Sequence, residues 1–203
     1  DVSVAGTLDA SGKNGGGSIK VGGDVQGTNA DEIAISDNVD IKLGAVLKAD
    51  ATHEGDGGDV IVYADRNAIF RGSVFARGGE VSGNGGFVET SGKGWISVDG
   101  GTVNTLPQNG TGKAGDWLID PNNIEIINGA PGVVYNPATH SVAGGANATI
   151  DVASINSATS NVILGATNNI DFNTNVNMTQ SGVGLEANAG KKITVHGFTI
   201  TTN

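Results

Sequence analysis

Apolar and polar residues alternate in short runs along the whole chain, as in Ile33-Ala34-Ile35, Trp95-Ile96-Ser97-Val98 and Ile193-Thr194-Val195, and each run is bounded by Gly, Asn, Asp or Ser. A period of two over a few residues predicts short β-strands, and the small polar residues between them predict turns. Helical spacing is nearly absent. Over residues 148–158, Ile150, Val152 and Ile155 fit a strand with a short turn as well as a helix. An all-β chain with almost no helix is expected.

The runs belong to repeats. Gly16-Gly17-Ser18-Ile19-Lys20-Val21, Gly57-Gly58-Asp59-Val60-Ile61-Val62, Gly85-Gly86-Phe87-Val88-Glu89-Thr90 and Ala114-Gly115-Asp116-Trp117-Leu118-Ile119 are variants of one phrase, with steps of 41, 28 and 29 residues. A second phrase precedes each copy and opens at Gly6, Gly44, Gly72 and Gly101, with steps of 38, 28 and 29. Further on, Val162, Leu164, Ile170 and Phe172 are matched by Leu185, Ala187, Ile193 and Val195, each 23 residues later. The organisation expected is glycine-rich repeats over 1–126, an irregular excursion over 127–147 and asparagine-rich repeats over 148–203.

A repeat of 20–30 residues made of short strands cannot bury an apolar face alone, but stacked repeats merge their inward residues into one core. The pattern predicts a parallel β-solenoid whose coils are spaced about 4.8 Å apart. Glycines would admit left-handed φ at tight corners, and asparagine amides would stack into ladders. A β-sandwich would lack the self-similarity, and a propeller would repeat at about 40–50 residues.

The stretches Gly55-Asp56-Gly57-Gly58-Asp59-Val60-Ile61-Val62-Tyr63-Ala64-Asp65, Gly72-Ser73-Val74-Phe75-Ala76-Arg77-Gly78-Gly79 and Gly83-Asn84-Gly85-Gly86-Phe87-Val88-Glu89-Thr90-Ser91-Gly92-Lys93 resemble large secreted exoproteins of the filamentous haemagglutinin family. The order matches too, and Gly115-Asp116-Trp117-Leu118-Ile119-Asp120-Pro121-Asn122-Asn123-Ile124 is similar to the segment closing that block. The resemblance is specific over 44–126 and one of repeat style elsewhere. It implies a right-handed parallel β-helix, export by a two-partner secretion system, and a virulence-linked role in adhesion at the bacterial surface. The implied partners are a host cell-surface or matrix component and an outer-membrane transporter. The transporter would act through a secretion domain outside this chain, because Asn136-Pro137-Ala138-Thr139 replaces the family's Asn-Pro-Asn motifs. With Asp1 first and Met178 the only methionine, the chain is expected to be an internal or processed piece.

Composition narrows the chemistry. Eleven basic against 21 acidic residues give a net charge of -10, which repels phosphate backbones and anionic lipids. Nucleic acid and membrane insertion are not expected, and the absence of cysteine removes disulfides and thiolate metal sites. No catalytic residue, cofactor or metal is assigned. Asp56, Asp59, Asp65, Arg66 and Arg71 are the nearest approach to a polysaccharide-active cluster, and read better as solvated charges. Asp31, Glu32, Asp37 and Asp40 lack the spacing of calcium repeats. His53 and His196 stand isolated, while Tyr135 and His140 in the excursion are the one place where haem, or a host haem carrier, could be captured. Asn109, Asn147 and Asn177 open glycosylation sequons.

Overall fold

The computed structural model describes residues 1–28, 30–129, 134–136, 141–143 and 148–203, with backbone only for 134–136 and 141–143. Strands come in threes. β1 (Val2–Val4), β2 (Thr7–Asp9) and β3 (Ser18–Val21) are followed by β4 (Asn38–Ile41), β5 (Val46–Lys48) and β6 (Asp59–Ala64). Next come β7 (Asn67–Phe70), β8 (Ser73–Phe75) and β9 (Phe87–Gly92), then β10 (Trp95–Ser97), β11 (Thr102–Asn104) and β12 (Asp116–Ile119). Every third strand pairs in parallel, giving a first sheet β1-β4-β7-β10, a second β2-β5-β8-β11 and a third that begins β3-β6-β9-β12. The protein is all-β and built on parallel sheets.

The registers reproduce the sequence periods. Val60 lies opposite Val88, and Val88 opposite Trp117, the steps of 28 and 29 that separate the glycine phrases. Alternation then turns Val60, Val62, Val88, Trp117 and Ile119 inward, where all are at most 1% exposed. Trp117 donates its indole N–H to the Thr90 hydroxyl at 2.9 Å, which satisfies both polar groups inside the core.

The glycine pairs serve a different need from the one expected. Gly58, Gly86 and Gly115 are not left-handed; a Cβ on Gly86 would stand 2.0 Å from the carbonyl oxygen of Gly58, and one on Gly115 would stand 1.9 Å from that of Gly86. They are glycine because successive backbones touch at this corner. Left-handed glycines do occur at other turns, as at Gly44 and Gly100, with φ of 85° and 83°.

Polar stacks fix other corners. Asn67 donates to the Asn38 side-chain oxygen at 2.7 Å, and Asn38 to Asp1 at 2.8 Å, forming the expected amide ladder. Asp50, 4% exposed, takes bonds from the Arg77 backbone N–H (2.8 Å) and guanidinium (2.7 Å), and that guanidinium lies 5.2 Å from the Phe75 ring centre. Removing the cation would leave a buried carboxylate with the backbone bond alone. Arg77→Ala is expected to lower stability by about 2 kcal/mol in urea unfolding, with Arg77→Lys recovering part of it; an unchanged midpoint would deny the pair a structural role.

Beyond β12 the order of the chain and the order of the sheet part company. β13 (Ile124–Ile127) precedes β14 (Val134–Asn136) and β15 (Ser141–Ala143), an antiparallel pair, and then β16 (Ala148–Asp151). β16 pairs in parallel with β13 on the edge opposite to that used by β18 (Asn169–Phe172), so β13 lies between two strands that both follow it in sequence. The Asp151 N–H also reaches Asp99, just after β10, at 3.3 Å. The irregular stretch thus returns the chain to fill a place beside β10.

Helix α1 (Val152–Asn156) follows, capped by Asp151, whose carboxylate accepts the Ala153 N–H at 3.1 Å. It buries Val152 and Ile155, resolving the ambiguity of 148–158 into a strand and then one helical turn. β17 (Asn161–Ala166) and β20 (Leu185–Ala189) extend the third sheet, while β21 (Lys192–Val195) pairs with β18, and β22 (Ile200–Thr202) with β19 (Val176–Met178). All four residue pairs expected from the 23-residue step face one another.

Candidate functional site

The first repeat is longer than the others because residues 22–28 and 30–37 lie outside the sheets and cross the outer face of the third one. Ile33-Ala34-Ile35, expected as a strand, lies in this strap and is in no strand pair among the described residues. Its ends are pinned by Ser36 N–H to Gly22 O (2.7 Å) and Asp65 N–H to Ser36 O (2.9 Å). Underneath, Ile61, Tyr63, Glu89 and Ser91 point outward by alternation, yet all are buried, at 7% exposure or less.

Close approach again selects glycine. A Cβ on Gly27, at φ 66°, would lie 2.3 Å from the Tyr63 hydroxyl, and one on Gly23 would lie 2.8 Å from its ring. Next to them Gln26 takes a left-handed φ of 50°, uncommon for a residue with a side chain. In that conformation its backbone N–H donates to both carboxylate oxygens of Glu89, at 3.0 and 3.2 Å. Lys20 ties the strap down from the sheet, donating to Asp24 at 2.7 Å and pairing with Asp31.

Glu89 is fully buried beneath the strap. Burial pushes its carboxyl up from the ordinary value, against the Gln26 N–H and the Ser91 hydroxyl, with Asp120 and Asp24 pushing the same way. Burial likewise raises Asp120, opposed by the Gln26 side chain, whose Nε2 stands 3.5 Å from Oδ2. Tyr63 is raised by burial and by the charges of Asp65, Glu89 and Asp120.

The strap covers only part of the face. From Gln26 at its tip a groove of about 530 Å³ runs over β12, β17 and β20. Leu118 and Ile163 form the floor, and Asp120, Thr167 and Asn188 bring polar groups to the rim. Gly165 opposite Asp120 leaves room for its carboxyl group, since a Cβ there would stand 3.1 Å from Cγ. Among the described residues no Lys or Arg lines this groove.

The residues singled out in the sequence do not meet. Asp56 is tied to Asn84 in a turn (2.7 Å), Asp59 opens β6, Asp65 and Arg66 occupy the corner after it, and Arg71 follows β7, 3.2 Å from Asp40. Asp31 and Asp40 pair with lysines, and among the described residues no three His, Asp or Glu side chains gather as metal ligands. His196 stands 3.5 Å from Asp171, and His53 is exposed. His140, Asn147 and the Tyr135 side chain lie outside the described residues. Asn109 donates its amide to the carbonyls of Gly79 and Gly83 at 3.0 and 2.8 Å, bonds a glycan there would displace, whereas Asn177 is exposed on β19.

Among the described residues no helix is long and apolar enough to cross a membrane. No protein-family model and no curated protein matches the chain. No motif in the sequence marks Glu89, Asp120 and Gln26 as a group. The available signal was Glu89's place in the outward row Lys20, Ile61, Glu89, Leu118, Ile163, a carboxylate among apolar neighbours.

Proposed function

We propose that the chain is a right-handed parallel β-helical segment of a large secreted bacterial surface exoprotein of the filamentous haemagglutinin type. It serves adhesion to host cells or matrix, as shaft or binding module, without catalysis. The observation that carries this reading is the in-register recurrence of three parallel sheets at the period of the glycine phrases. Such a rod gains length by adding repeats and carries side chains on its outer faces without disturbing the core. The net charge of -10 suits a displayed, soluble surface.

Two experiments test it. Deleting residues 87–115, one whole period between the partners Phe87 and Asp116, is expected to leave a folded, shorter β protein by circular dichroism, whereas deleting half as many is expected to unfold it. Equal damage from both deletions would overturn the repeat reading. The intact chain on beads is expected to bind epithelial cells or immobilised matrix proteins, and failure on every surface would remove the binding-module role.

A further inference from the structure

We propose that the open groove between the strap tip and β20 is a docking site for a basic polypeptide segment, with an Arg or Lys side chain set against Asp120. This goes beyond the adhesive reading and stands on the groove alone. The occupied half of the same outer face shows what its carboxylates accept. There the strap, making a tight turn over Val25–Gly27, presents the N–H of Gln26 to Glu89, and the same residue turns its amide toward Asp120. Past Gln26 the surface continues with similar chemistry but without a cover. Leu118 and Ile163 give an apolar floor for the stem of a long side chain, and Gly165 leaves room for the Asp120 carboxyl group.

Charge selects the occupant. Asp120 is half-buried, among the described residues its side-chain hydrogen bond is to the neutral Gln26 amide at 3.5 Å, and Glu89 adds a second carboxylate next to it. With no basic residue lining the groove, a cationic group fills the unmet requirement, and a guanidinium can donate to both Asp120 oxygens at once. A neutral saccharide would supply hydroxyl donors but no charge. An anionic glycan would be repelled by the groove and by the chain.

The test titrates the whole 203-residue chain with acetyl-Gly-Arg-Gly-Arg-Gly-amide, with the same peptide carrying citrulline for arginine, and with a neutral glucose hexasaccharide. The arginine peptide is expected to saturate and to shift the amide resonances of Gln26, Gly165, Thr167 and Gly190. Citrulline should weaken it at least tenfold. Asp120→Asn should abolish binding. Asn188→Lys, at an exposed rim position compatible with the fold, should do the same by placing a competing cation there. Equal binding of both peptides, preference for the hexasaccharide, shifts elsewhere on the surface, insensitivity to both substitutions, or no binding at millimolar peptide would each overturn the proposal.

Discussion

Gly86→Ala is expected to destabilise the protein by about 3 kcal/mol, a large fraction of the stability of a marginally stable domain. The new methyl group would point at the Gly58 carbonyl oxygen from 2.0 Å, with further Gly57 backbone atoms at 2.6 and 2.7 Å. No rotamer change relieves a clash between a Cβ and a neighbouring main chain. Relief would require separating β6 from β9, which breaks the parallel ladder on which Val60 and Val88 stack. Gly184→Ala is the control, because a Cβ there meets nothing within 4 Å and the backbone is not left-handed. It is expected to be neutral or to stabilise by about 0.5 kcal/mol through the unfolded chain. Urea unfolding of both variants by circular dichroism checks the pair. A loss under 1 kcal/mol for Gly86→Ala would show that the backbones at this corner can part.

That close stacking explains why so much of the fold was legible. A Gly-Gly pair before β3, β6 and β9, with Ala-Gly before β12, marks where backbones touch, so the phrase recurs once per repeat over this stretch and carries the register with it. The 23-residue matches work for the same reason, since Val162 and Leu185 face the same interior. What the pattern hid depends on long-range placement. Nothing local to Ala148–Asp151 says that it pairs beneath a strand preceding it in sequence, because either edge of β13 suits an alternating strand. The strap was hidden by a similar ambiguity. Ile33 and Ile35 look like strand residues, yet Ile35 remains 40% exposed over a face already paired edge to edge. A clue was present in β6, where Val60-Ile61-Val62-Tyr63-Ala64 runs apolar without alternation. Such a run belongs to a strand covered on both faces, and it implied a cover that the repeat itself does not supply.

Glu89→Ala is expected to release that cover while leaving the sheets folded. The substitution removes both acceptors of the Gln26 N–H and leaves a left-handed residue without the contact that holds it. Hydrogen bonds to a charged group are worth about 1.5–3 kcal/mol, so exchange protection of the amides of Val25, Gln26 and Gly27 is expected to fall about 100-fold, with little change at Val60 or Val88. Acidity then acts in a definite direction. The closed strap raises the Glu89 carboxyl chiefly through burial, so closure binds the proton more tightly than the open form does. Protection is therefore expected to grow as pH falls through the raised titration of Glu89 toward its ordinary 4.5, after correction for intrinsic exchange, and Asp120 adds to the same trend. Asp24 opposes it at lower pH. Lys20 and the Val25 N–H hold its carboxyl below the ordinary 3.8, so the support it lends the strap is lost as it protonates. The strap should be tightest in mild acid, between these two regimes. Glu89→Gln keeps an acceptor for Gln26 but removes the charge, and should flatten most of that rise. Strap protection that weakens steadily through that titration in the unaltered protein would mean that hydrogen bonding to the ionised carboxylate outweighs its burial, reversing the coupling.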